Sequence, residues 1–176
     1  MTIWPSRRVQ RAQGVGGPDS EAYTARMSNP RADIVVRRPD GAILAVVEVK
    51  NLPRIGAPDA IRLRDALVSF GFPTELARYL LIITQDRGFI WEANGDGQWA
   101  RQPESFDMTP VLREFLTEAE LQRHLRGTEL EIAVAHWLAD LSRGRGVPRD
   151  SLGGAEVLAR FLTDIRGAEV QPEALA

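Results

Sequence analysis

The sequence predicts an α/β fold: a central mixed sheet flanked by helices, with a helical C-terminal extension. Three observations carry this reading. The runs Asp33–Arg38, Ala42–Lys50 and Tyr79–Thr84 are β-branched and apolar at successive positions, as in strands buried on both faces. A helical stripe of Ala60, Leu63, Leu67 and Phe70 lies between the second and third of them. From Thr109 onward the apolar residues recur at helical spacing, and Thr117–Glu120 and Thr128–Glu131 both have the capping-box pattern that opens a helix.

Each element has a local justification. Residues 1–20 read as a flexible N-terminal segment, with Arg7, Arg8 and Arg11 followed by a glycine-rich linker at 14–17. Residues 21–28 suit either a short strand or one turn of helix, ended by Asn29-Pro30. Pro39-Asp40-Gly41 is a tight-turn sequence, so the first two strands form a hairpin. The helix over 59–70 is closed by Gly71 and Pro73. Phe89–Glu92 is a further strand after the turn at 85–88. Thr109-Pro110 provides an N-cap and a proline in the first turn. A helix from Thr128 buries Leu130, Val134, Trp137, Leu138 and Leu141, and a last one buries Val157, Leu158, Phe161, Leu162 and Ile165. The chain thus divides into a flexible segment (1–20), a core (21–102) and a helical extension (103–176).

Composition bounds the function. With 176 residues, 44% of them hydrophobic and 26% charged, the chain can build a real core. It has no cysteine, which excludes disulfides, thiolate chemistry and cysteine-ligated metals, and its two histidines cannot form a histidine-rich centre. No apolar run reaches the length of a membrane span, and the reading is of a cytoplasmic protein without a membrane partner. The net charge of −2 is not that of a generic nucleic-acid binder, and the stretch 103–140 holds eight acids against three arginines.

One group of residues points to chemistry. Glu48 interrupts a strand that is otherwise apolar, and Lys50, two positions on, shares its face. A buried carboxylate costs several kcal/mol unless it is paired or holds a cation. If Asp40-Gly41 forms a two-residue turn, Asp33 faces Glu48 directly, with Cβ atoms ~5 Å apart. Two carboxylates that close repel one another unless a cation lies between them, which outlines a divalent-metal site. A three-residue loop with Gly41 in a bulge instead pairs Asp33 with Val47, and a second bulge is then needed to bring Asp33 round. Lys50 is the only lysine among 22 cationic residues. Lysine, unlike arginine, is a compact charge with a shiftable pKa.

Asp33, fourteen residues, then Glu48-Val49-Lys50 resembles the PD-(D/E)xK motif of restriction-endonuclease-like nucleases. The order hairpin, helix, strand over Ala32–Trp91 is similar to small bacterial members of that superfamily and, more distantly, to the nuclease domain of type I restriction subunits. The resemblance implies a restriction-endonuclease-like sheet and a metal-dependent nuclease acting on DNA. Asp33, Glu48 and the Val49 carbonyl would hold Mg²⁺ or Mn²⁺, and Lys50 would position the attacking water. Glu21 would be the acid supplied by a first helix in many members, and Gln85, after the next core strand, an accessory residue. Ala32 stands where the motif has proline, and the Gln-x-x-x-Tyr element of exonuclease-like members is absent from 59–70. Phosphate contacts would fall to Arg37, Arg38, Arg54, Arg62 and Arg64, together with Arg7, Arg8 and Arg11. The rival expectation is a nuclease-fold protein that no longer cleaves and serves as a DNA-binding or protein-interaction module. The acidic charge and small size also fit a homodimer or a subunit working with a partner.

Overall fold

The computed structural model of the chain describes residues 32–52, 54–69, 77–95, 98–146, 149–153 and 156–172. Glu21, the N-terminal arginines and the ambiguous element at 21–28 lie outside these residues.

A six-stranded sheet organises the molecule. The strands are β1 (Ile34–Arg37), β2 (Ile43–Val49), β3 (Tyr79–Ile83), β4 (Arg87–Glu92), β5 (Glu104–Asp107) and β6 (Glu169–Pro172). Their spatial order is β5-β4-β3-β2-β1-β6. Only β2 and β3 run parallel, linked through α1 (Ala57–Ser69); the other four pairings are antiparallel. The sheet is therefore mixed, as expected, and the two longest apolar runs form its central pair.

Each face carries its own core. On one, Ile34, Val36, Ala45, Val47, Leu81, Ile83 and Ile90 pack against α4 (Gly127–Ser142) and α5 (Glu156–Asp164) through Leu130, Val134, Trp137, Leu138, Leu158 and Phe161. The expected burial of Leu130, Val134, Trp137, Leu138 and Leu141 holds. On the other face, Val35, Val46, Leu80, Ile82, Phe89 and Trp91 meet Ala60, Ile61, Leu63 and Leu67 of α1.

The C-terminal region differs from a purely helical extension. It contributes both edge strands, β5 beside β4 and β6 beside β1. These strands have four residues each, and in β5 only Phe106 is buried, so neither carries the apolar run that marks the inner strands. Phe106 fits because its partner on β4 is Gly88: a Cβ at Gly88 would stand 2.1 Å from the Phe106 ring.

The caps also differ. Thr109 is not the N-cap of the short α2 (Thr109–Leu112); that residue is Met108, and the Asp107 carboxylate accepts the Thr109 N–H at 2.8 Å. The capping box at Thr117 forms as expected in α3 (Glu118–Leu121). The second does not. α4 starts earlier than Thr128, with Arg126 in the N-cap position, and Glu129 accepts the Arg126 N–H at 2.8 Å.

Candidate functional site

The hairpin turn takes the longer of its two readings. Arg38 N–H donates to Ala42 O and Gly41 N–H to Arg38 O, and Gly41 has φ +85°, so Pro39-Asp40-Gly41 is a three-residue loop with glycine in the left-handed region. The shift this introduces is then undone. Arg37 pairs with Ile43 but Val36 with Ala45, leaving Leu44 as an extra residue on β2. Beyond that bulge Ile34 pairs with Val47, and one step further Asp33 stands opposite Glu48. The direct pairing expected from a two-residue turn is thus reached through a loop and a compensating bulge.

The three motif residues come together at one end of the sheet. The Val49 N–H donates to Asp33 Oδ2 at 2.6 Å, which fixes that carboxylate against the last residue of β2. Lys50 Nζ donates to Glu48 Oε1 in a direct ion pair. Glu48 is 5% exposed, and its second oxygen, Oε2, is buried without a hydrogen-bond partner. Burial pushes the Glu48 carboxyl above its ordinary value; the Lys50 ammonium pulls it back, and the Asp33 charge pushes it up again. A buried acceptor left unmade costs free energy, and a buried carboxylate with a second carboxylate's charge nearby can be satisfied by a cation. The donor set of two carboxylates and a backbone carbonyl is hard oxygen, suited to Mg²⁺ or Mn²⁺. Among the described residues no three His, Asp or Glu side chains converge closely enough to hold an ion by themselves.

The remaining expected residues are placed as follows. Gln85 follows β3 at the same end of the sheet, but its amide is committed to the end of α3 and the chain after it. Nε2 donates to Leu121 O and Arg123 O, and Oε1 accepts the Leu125 N–H. Arg62 pairs with Asp59. Arg64 pairs with Asp65, donates to Ala100 O and lies over the Trp91 ring. Arg38 lies 3.8 Å from Asp40, and Arg37 donates to Gln171. Arg54 is exposed in a backbone of φ +50°.

One half-buried acid was not singled out from the sequence. Glu131, on α4 across the sheet from Glu48, is half-buried, and burial first and the Asp33 charge second raise its carboxyl. Its sequence context, a capping-box pattern, gave it another explanation. No helix among the described residues is long and apolar enough to cross a membrane. The chain matches no protein-family model, no curated protein and no solved structure.

Proposed function

We propose that this protein is a metal-dependent nuclease of PD-(D/E)xK type, hydrolysing phosphodiester bonds in DNA with Mg²⁺ or Mn²⁺. The observation that carries the reading is the buried, unpartnered Oε2 of Glu48 on a strand position facing Asp33. Asp33 and Glu48 would hold the ion, helped by the carbonyl of Val49. A bound divalent cation supplies Lewis-acid stabilisation of charge developing on the phosphate. The residues of the chain do the positioning. The Val49 N–H keeps Asp33 aimed at the end of the sheet. Lys50, sharing the face of Glu48, presents a compact ammonium that can hold a water by one N–H while bonding Glu48 with another. Among the described residues Arg38, Arg62 and Arg64 lie beside carboxylates, and a homodimer or a partner subunit would complete the surface that holds the nucleic acid.

That last point also favours a second reading, a nuclease-fold module that binds without cleaving. Arg62, Arg64 and Arg38 have carboxylate neighbours, and the net charge is −2. One experiment separates the two. Single-stranded, duplex and branched DNA are incubated with the wild type and with Glu48→Gln in Mg²⁺ or Mn²⁺, and binding is followed by fluorescence anisotropy. Cleavage by the wild type alone supports the nuclease. Binding with no cleavage of any substrate supports the module.

A further inference from the structure

We propose that Arg87 is a phosphate-binding residue of this site, gripping the nucleic-acid backbone beside the phosphodiester that Asp33, Glu48 and Lys50 face. This rests on the nuclease reading above and adds to its site a cation that the sequence did not single out.

The sheet register places Arg87. Glu48 pairs with Ile82 on β3, and Ile82 with Phe89 on β4; Val49 pairs with Ile83, and Ile83 with Gly88. One step nearer the end of the sheet, Lys50, Thr84 and Arg87 stand level, in line with β2, β3 and β4. The Lys50 N–H donates to Ile83 O, and the Thr84 N–H donates to Arg87 O at 2.8 Å. Strand alternation fixes the face. Gly88 turns toward Phe106 and the α4 side, so Arg87 and Phe89 turn to the other side, that of α1. Glu48 and Lys50, two and four residues beyond Val46, share that side. The Cα atoms of Lys50 and Arg87 are thus about 10 Å apart, two strand spacings, on one face.

The apolar cover ends at this row. Ile82 and Phe89 are buried in the α1 core, whereas Lys50 is half-buried and Arg87 exposed. Arg87 makes no ion pair with a described residue. The acids beside it have other partners: Asp86 Oδ1 accepts the Thr84 hydroxyl at 2.9 Å, and Asp107, opposite Arg87 on β5, accepts the Thr109 N–H at 2.8 Å. The Arg87 backbone is nonetheless fixed. Its N–H donates to the Oγ1 of the buried Thr84 at 3.1 Å, and Gln85, in the same turn, is tied to Leu121, Arg123 and Leu125. An exposed guanidinium on so firm a base suits the forked grip of a phosphate. Asp33, Glu48 and Lys50 sum to a negative charge before an ion binds, so a phosphate needs further cations to approach. Arg37 and Arg38 lie at the opposite, hairpin-turn end of the sheet, and Arg62 and Arg64 have carboxylate partners.

The test is binding of a fluorescein-labelled DNA duplex to the full chain, followed by anisotropy over a range of salt with Ca²⁺ in place of Mg²⁺; the same proteins are assayed for cleavage in Mg²⁺. Arg87→Gln should weaken binding roughly ten-fold and lower the salt slope by about one, with an unchanged melting temperature. Arg87→Lys, which keeps the charge, should keep the slope. Arg166→Gln, the same charge change on an exposed residue at the far end of the sheet, should stay within two-fold of the wild type. A wild type that binds DNA beside an Arg87→Gln with the same affinity and slope overturns this inference and leaves the nuclease reading standing. An equal loss in Arg166→Gln also overturns it, since general charge would then be the cause. Binding that depends on Arg87 without cleavage of the duplex supports this inference and gives the site to the non-cleaving module. A wild type that binds no DNA at any salt refutes the nucleic-acid reading, and this inference with it.

Discussion

Replacing Glu48 by glutamine asks whether that carboxylate stabilises the fold or burdens it. If the Glu48–Lys50 contact is a structural ion pair, Glu48→Gln removes a favourable interaction and the protein melts lower. The site geometry argues the reverse. Glu48 is 5% exposed and its Oε2 has no partner. A glutamine of the same shape keeps an oxygen for Lys50 and places an N–H where Oε2 stood. It ends the carboxylate–carboxylate repulsion and supplies a donor in place of an orphaned acceptor. Such an orphan costs about 1–3 kcal/mol; Lys50 loses part of its pairing but is 33% exposed and keeps water. The metal-free variant should therefore melt above the wild type at pH 7. Each kcal/mol corresponds to ~2–4 °C for a domain of this size, so the gain should be a few degrees. The pH dependence has a definite sign. The folded pKa of Glu48 lies above its ordinary value near 4.5. The burden is therefore absent below that value, where folded and unfolded chains are both protonated, and grows as pH rises through the folded pKa. The advantage of Glu48→Gln should shrink toward pH 4. The assay is thermal unfolding in chelator from pH 4 to 8, repeated with Mn²⁺. Saturating Mn²⁺ at a hundred times its Kd should add about 2.7 kcal/mol to the wild type and nothing to the variant. A Glu48→Gln protein that melts below the wild type in chelator at pH 7 would refute the reasoning.

Three further outcomes follow from other parts of the structure. Lys50→Arg should keep Mn²⁺ binding and thermal stability but lose most cleavage, because the forked guanidinium cannot give up a proton; retained cleavage rates would remove Lys50 from the chemistry. Gly88→Ala should destabilise by about 1–3 kcal/mol in denaturant melts, because its Cβ would collide with the Phe106 ring, and the cost should largely vanish in a Phe106→Ala background. Glu92→Gln should cost about 1–2 kcal/mol, since Glu92 bridges Arg78 on the sheet and Arg160 on α5. Burial opposes the Glu92 charge, but the two arginines prevail and hold its carboxyl below the ordinary range. That stabilisation is complete above about pH 4.5 and fades as pH falls through the lower folded value, so the wild type and variant melts should converge in acid.

The central pairing was legible because burial on both faces leaves a mark in composition: β2 and β3 are apolar at nearly every position, and the one charged exception is Glu48. The same property hid the bulge. Where every residue is apolar there is no alternation for an inserted Leu44 to break, so the turn sequence alone left two registers open. The edge strands were illegible for the opposite reason. Four residues with one buried side chain, as in Glu104–Asp107, bury too little to impose a pattern. Glu131 was hidden by a competing signal. Thr128–Glu131 matches a capping box, but the chain tie made by Gln85 and the Arg123–Glu129 pair sets the helix start earlier, which turns Glu131 from a cap into a side-facing acid. The placement of Arg64 was equally unreadable, since it donates to Ala100 and lies over Trp91, both distant in sequence.

The position of β1 has a consequence for how the molecule is made. Its two hydrogen-bonded neighbours are β2, a few residues downstream, and β6, with Arg37 and Gln171 in contact across 134 positions. The local hairpin can close in microseconds, whereas the pairing with β6 must wait until residues 169–172 have been made. Until then β1 presents a row of unpaired backbone groups, and Asp33 rests on a strand held from one side only. The candidate site thus gains its full support only after β6 has docked on β1. A chain stopped before residue 169 would carry all three motif residues without the support that β6 gives β1.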